Sequence, residues 1–378
     1  MRITYLDHLR AICMVFVVVL HAYYLIDYAP AAFYAVFIYN FCMGTFFIIS
    51  GYVMGQTLPG GPIWPHLRAR LRRLAWPLAT GLVLINPLTL AVIHDGFSTA
   101  WASDVWARAT SGRLFVHLWF LFALMAFTCA VPLLFRTLRS EMWARIARAC
   151  AARLPQAFWP TAITLAVVTI QMSLAATITL DLPVPLDGLV KYAWAFVLGL
   201  ALFHHPAAWE ACHRPGPFPF VIAGMFWLAM IDGWAAQGTT LHHMLHAARI
   251  ASSSVAISFA LLWAFRRFAN TPTRAWAIVS EGALTTYVMQ WLVLHALVGP
   301  LMWLGLSEGA LFAALIICTL AIKLPVHHVV VKRSPLLSLL LNGTPIRRAQ
   351  THPDAQIAAV RNQAAPNALL LQTKGDMT

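Results

Sequence analysis

Runs of about twenty apolar residues, each long enough to cross a bilayer as a helix, recur along the chain with only short polar breaks. They fall near residues 10–28, 33–55, 75–94, 114–135, 159–179, 188–204, 218–235, 248–265, 281–298 and 307–331. In hydrocarbon every backbone N–H and C=O must be bonded within its own segment, so such runs fold as helices. The spacing therefore predicts an all-α polytopic membrane bundle of about ten transmembrane helices. Composition excludes a soluble globular domain: the chain is 60% hydrophobic and only 10% charged, against about 25% charged in a typical soluble protein.

The formal charge of +13 would point to nucleic acid in a soluble protein. Here the basic residues mark the loops instead. With the N-terminus in the cytoplasm, all of the 26 Lys and Arg except Arg108, Arg113, Lys191, Arg249 and Lys323 fall on the cytoplasmic side. That asymmetry predicts both termini inside and no nucleic-acid role. After about Gly343 the chain turns polar, so a membrane domain over 1–343 and a disordered cytoplasmic tail over 344–378 are expected. The first run could also pass for a signal peptide, with Arg2 and Arg10 before it and APAA after it. Asp7, His21 and the length of the run speak against that reading. Cys13, Cys42, Cys129, Cys150, Cys212 and Cys318 form no CxxC pair and read as small packing residues. No long internal repeat is visible, which disfavours an inverted-repeat transporter.

The first run carries the strongest chemical signal. LDHLRAICMVFVVVLH places Arg10 and His21 eleven residues apart, about three helical turns, on one face and roughly 16 Å apart along the axis. A histidine at that depth either bonds to a neighbouring helix or faces a polar cavity. The second run ends FFIISGYVMG, where Ser50, Gly51 and Gly55 allow close helix approach. Ser50 has no acid–base pair beside it in sequence, so a serine nucleophile is unsupported.

HLRARLRRLAWP follows, with Arg70 and Arg73 on one helical face and Arg68 and Arg72 nearby. It is either a topogenic loop or a clamp for phosphates, which arginine forks bind through paired hydrogen bonds. A loop with His94, Asp95, Asp104, Arg108 and Arg113 leads to HLWFLFALM, where His117 and Trp119 suit either a membrane-interface belt or a sugar site. His242, His243 and His246 have metal-like spacing but no carboxylate or cysteine nearby, and no metal is expected. SEGALTTYVMQ opens the ninth run. Glu281 there is a helix-capping acid or a pore-lining partner for Arg10 and the arginine clamp. Lys323 in the last run pairs with a carboxylate or snorkels.

Taken together these segments resemble the acyltransferase 3 family of membrane acyltransferases. Arg10 and His21 match its Arg-x10-His signature within an LDxLR opening that includes Asp7; FFIISGY resembles its FFxxSG; Arg70 and Arg73 match its Arg-x-x-Arg. HLWFL, SEGALTTYVMQ and HHVVVKRSPLLSLLLNG look most like the branch of periplasmic glucan succinyltransferases. Relatives often read Tyr-x-x-His in the ninth run, where this chain has Tyr287 and then Gln290.

The resemblance implies transfer of an acyl group, acetyl or succinyl, from cytoplasmic acyl-CoA to a hydroxyl of an envelope carbohydrate at the bacterial inner membrane. It casts His21, Arg10 and Glu281 as catalytic, and Arg68, Arg70, Arg72 and Arg73 as the CoA site. Asp7, Ser50, His117, Trp119 and Tyr287 become substrate contacts. A histidine of ordinary basicity suits the activation of a hydroxyl, whether His21 acts as base or carries the acyl group. The competing class is a transporter or flippase that moves a glycan or lipid-linked substrate unchanged; a third is a membrane sensor or structural partner that needs neither His21 nor the clamp.

Overall fold

The computed structural model describes residues 3–57, 62–177 and 182–344. The polar tail expected over 344–378 lies, from residue 345 on, outside the described residues. Among those residues there is no strand, and nine helices are long and apolar enough to cross a membrane. They are α1 (Thr4–Ile26), α2 (Ala29–Thr57), α3 (Ile63–Ile93), α4 (Arg113–Leu138), α5 (Gln156–Thr177) and α6 (Val184–His204), then α8 (Thr240–Phe268), α9 (Arg274–Met302) and α10 (Glu308–Val331). The expected run at 218–235 forms a shorter apolar helix, α7 (Phe218–Ile231), because Gly233 takes a left-handed φ of 65° just past its end. The all-α membrane bundle is thus the fold.

Close helix approach decides the packing. α2 and α6 run parallel and touch backbone to backbone: a Cβ on Gly51 would stand 2.1 Å from the Phe196 carbonyl oxygen, and one on Gly199 would stand 1.9 Å from that of Ile48. The Ser50-Gly51 segment is therefore a packing device, as small residues in membrane helices generally are. Polar side chains tie α8 to α2. Thr45 and Ser258 share a hydrogen bond of 2.7 Å, the Ser254 hydroxyl donates to the Asn40 carbonyl, and Arg249 donates to Asn40 Oδ1 at 3.3 Å. Inside a bilayer these groups have no water to turn to, so they pair with each other.

α1 runs antiparallel to α2 and parallel to α9. Cys42 bonds to the Cys13 carbonyl on one side of α1, and His8 stacks on Trp276 on the other. α9 and α10 are antiparallel, with Glu281 paired to Lys332 at 2.6 Å and Thr285 bonded to His327 at 2.9 Å. Two helices depart from regular winding. α3 passes through a π turn at Gly81–Ile85, and α10 ends in one at Val326–Val331, next to Pro325. Such turns leave a carbonyl unpaired and re-aim the side chains around them.

Candidate functional site

The face of α1 that carries Arg10 and His21 links two different environments. At the N-terminal end the Arg10 guanidinium lies over the Phe46 ring at 5.2 Å and stands 3.8 Å from the Asp7 carboxylate. Arg70 is close enough to Arg10 and to Arg73 for their charges to act on it. Its Nε is buried with no hydrogen-bond partner. Arg68, Arg72 and Arg73 are exposed beside it. Among the described residues no carboxylate lies within ion-pair distance of Arg68, Arg70, Arg72 or Arg73. Four guanidinium groups with no carboxylate partner among the described residues form a surface suited to an anion.

At the other end His21 lines a cavity of about 190 Å³. His117, Trp119, Tyr192 and Tyr287 share its wall, and the Asp187–Lys191 ion pair (2.7 Å) also borders it. The Trp119 indole lies nearly parallel to the Tyr192 ring, with centroids 5.6 Å apart. It is seated against Gly188, where a Cβ would come 2.3 Å from Cε3 of the indole. The glycine is there because the indole needs the space. The volume holds about six waters, and the lining combines broad aromatic faces with a few polar groups, a combination suited to an organic ligand that carries hydroxyls.

His21 and His117 approach from opposite sides, with ring centroids 6.0 Å apart, and Trp291 packs edge-on against His21 at 4.9 Å. Gln290 Nε2 stands 2.8 Å from His21 Nδ1, so Nε2 is the ring nitrogen left for the cavity. His117 sits in a distorted turn. Val116 before it has φ 42° and ψ −113°, a conformation that a β-branched residue adopts only under strain. α9 holds that turn: the Tyr287 hydroxyl donates to the His117 carbonyl, and His117 Nε2–H donates to the Val288 carbonyl at 3.3 Å. The Nδ1 of His117 is then a buried acceptor with no partner.

The residues singled out from the sequence thus separate. His21, His117, Trp119 and Tyr287 meet around one cavity, and Arg10 joins the arginine group at the far end of α1. Asp7 and Ser50 do not reach the cavity. Ser50 is buried near the arginine end, and its hydroxyl has no partner. Glu281 corrects an expectation: its carboxylate pairs with Lys332, not with Arg10 or the arginine clamp. It stands nine residues before Gln290, about 13 Å lower on α9, in an open groove with Arg274 and His328. Among the described residues Lys323 has neither a carboxylate nor a hydrogen-bond partner for its Nζ, and it does not snorkel, being fully buried.

Gln290, Trp291, Asp187, Lys191 and Tyr192 were not readable as site residues. Gln290 showed only as a departure from a motif, and an Asp187-to-Lys191 spacing of four is common on any helix. On the short helix Thr99–Thr110 that follows α3, Asp104 accepts from Arg108 at 2.8 Å and lies 3.1 Å from His94. These partners, Arg108 foremost, hold its carboxyl below the usual carboxylate range. Among the described residues no group of three or more His, Cys, Asp or Glu is arranged to hold a metal.

A membrane-embedded helical bundle with a histidine between an arginine-rich end and an aromatic cavity has the parts of an integral membrane acyltransferase. The family profile described as an acyltransferase domain matches residues 3–328, nearly the whole membrane part, and the chain belongs to the acyltransferase 3 family. No curated protein and no solved structure matches it significantly.

Proposed function

We propose that the protein transfers an acyl group from cytoplasmic acyl-CoA to a hydroxyl of an envelope carbohydrate, in the bacterial inner membrane with both termini inside. The observation that carries this reading is the position of His21. It faces an aromatic cavity at one end of α1, while at the other Arg10, 3.8 Å from the Asp7 carboxylate, joins Arg68, Arg70, Arg72 and Arg73, which have no carboxylate within ion-pair distance among the described residues. Arg70 and Arg73, with Arg10, Arg68 and Arg72 around them, bind the phosphates of CoA, and the pantetheine arm spans the roughly 16 Å to His21. The acceptor enters the cavity, where Trp119 and Tyr192 offer flat apolar faces to a sugar ring and Asp187 accepts from its hydroxyls.

In the step itself the Gln290 carboxamide is turned by a half-turn so that Oε1 accepts from Nδ1–H, and His21 Nε2 then removes the hydroxyl proton as the oxygen attacks the thioester carbon. The C–S bond breaks, and the departing thiolate takes the proton back from Nε2. General-base assistance of this kind is worth about 10²–10⁴-fold. A covalent route, with the acyl group carried on His21, uses the same placement and differs in forming an acyl-enzyme from donor alone. Loose likeness to the glucan succinyltransferase branch favours succinyl as the acyl group and a periplasmic glucan as acceptor.

The test is CoA release by purified protein in liposomes from acetyl-CoA and succinyl-CoA, with and without an envelope glycan extract, for wild type and His21→Ala. Release that requires both the extract and His21 is expected. Full activity in His21→Ala would remove the histidine from the mechanism. No release with either donor from folded protein would favour a transporter or flippase.

A further inference from the structure

His21 is oriented by a neutral side chain, and that side chain is incompletely bonded. Gln290 presents Nε2 to His21 Nδ1, and its Oε1, an acceptor, is buried with no partner. Lys323 Nζ is also buried, and neither it nor Oε1 has a hydrogen-bond partner among the described residues. The register of α9 against α10 brings the two to the same depth. Glu281 pairs with Lys332 and Thr285 bonds to His327; nine residues on from Glu281 is Gln290, and nine back from Lys332 is Lys323. Lys323 is near enough to His21 and His117 for its charge to act on both. The titratable groups around this point are His21 on α1, His117 at the head of α4 and His295 on α9. Among the described residues no carboxylate is within ion-pair distance of Lys323.

We propose that Lys323 sets the direction of the Gln290 carboxamide, and through it decides which nitrogen of His21 carries the proton. The oxygen and nitrogen of a carboxamide are alike in shape, so a half-turn exchanges them without moving another atom. A charged lysine only donates. It bonds to Oε1, the amide N–H donates to His21 Nδ1, and the His21 proton then sits on Nε2, where no base is available to the cavity. A neutral lysine accepts from the amide N–H instead. Oε1 then accepts from Nδ1–H, and the lone pair of Nε2 faces the cavity. Fixing the tautomer of a catalytic histidine through its second nitrogen is a general device. Here it uses an amide and an amine in place of a carboxylate. Lys323 and Gln290 are positioning residues on this account, and the inference rests on His21 being the base.

Histidine ¹⁵N spectra of labelled protein in nanodiscs, with His21→Asn to assign the His21 signals, read the tautomer without any substrate. Wild type is expected to show the Nδ1–H form, which follows when the carboxamide makes its half-turn from the orientation with Nε2 toward Nδ1. Lys323→Arg, whose guanidinium stays charged and only donates, should move His21 to the Nε2–H form. It should also lower kcat about 100-fold or more while leaving KM for acyl-CoA unchanged. Lys323→Met removes the directing group and should give a mixture. Gln290→Glu, which only accepts, should hold the Nδ1–H form whatever stands at position 323, so the idea stays testable if a Lys323 variant fails to fold. An unchanged His21 tautomer in the folded Lys323 variants would overturn the proposal. If the tautomer responds while His21→Ala stays fully active, the coupling stands and the general-base reading fails.

Discussion

Replacing Gly199 by alanine adds one methyl group where α2 and α6 touch backbone to backbone. The new Cβ would lie 1.9 Å from the Ile48 carbonyl oxygen and 2.9 Å from the Tyr52 nitrogen, both backbone atoms of α2. Carbon and oxygen in ordinary contact need well over 3 Å, and a backbone cannot move aside as a side chain does. α2 and α6 must therefore separate by about 1 Å or more. That gap loosens the layer in which Phe47 stacks on Tyr192 and Tyr192 on Trp119. Overpacking of a core costs typically about 1–3 kcal/mol, and an obstacle made of backbone puts Gly199→Ala at or above the upper end, about 3 kcal/mol.

The control is Gly224→Ala on α7, where an added Cβ meets nothing within 4 Å. It should be neutral, or stabilise by up to about 1 kcal/mol from helix propensity. Thermal unfolding in detergent, followed by tryptophan fluorescence and by loss of monodisperse protein, measures both. A Gly199→Ala protein as stable as Gly224→Ala would refute the close-approach argument.

Three further outcomes follow from the same geometry. Arg70→Ala and Arg73→Ala should each raise KM for acyl-CoA about tenfold or more, since hydrogen bonds to charged groups are worth about 1.5–3 kcal/mol. Lysine should restore only part of this, because it lacks the paired donors of arginine; initial-rate kinetics in liposomes check it. Gly188→Ala pushes the Trp119 indole out of its seat. It should lower kcat/KM for the acceptor about 5- to 150-fold, corresponding to roughly 1–3 kcal/mol, with the donor KM unchanged.

Glu210, outside the membrane helices, pairs with Arg266 at 2.6 Å, and this bond holds its carboxyl below the ordinary range. The pair therefore stabilises the fold above about pH 4.3, and the contribution is lost as pH falls through the depressed folded value. Half-exposed, it is worth about 0.2–1 kcal/mol. Glu210→Gln should lose that amount at pH 7 and nothing at strongly acid pH, as read by paired unfolding curves.

What the chain alone determined is its class and its chemical axis. Apolar runs of membrane length have one helical solution, because no water inside a bilayer can satisfy an unpaired backbone. Arg10 and His21 share a face because helix geometry is local. The placement of Glu281 was not legible. The sequence put Glu281 at a helix start, whereas α9 begins at Arg274, seven residues earlier, so Glu281 caps nothing; of the basic residues within plausible reach, the antiparallel register of α9 and α10 chose Lys332. The cavity was equally hidden: Trp119 looked like an interface residue until α6 brought Gly188 and Tyr192 against it. Gln290 and Lys323 lie on different helices from His21, and nothing in a one-dimensional pattern joins them. Short-range periodicity encodes helices and their faces, whereas which faces meet, and which buried polar atoms are left unpaired, is settled only when ten helices close against one another.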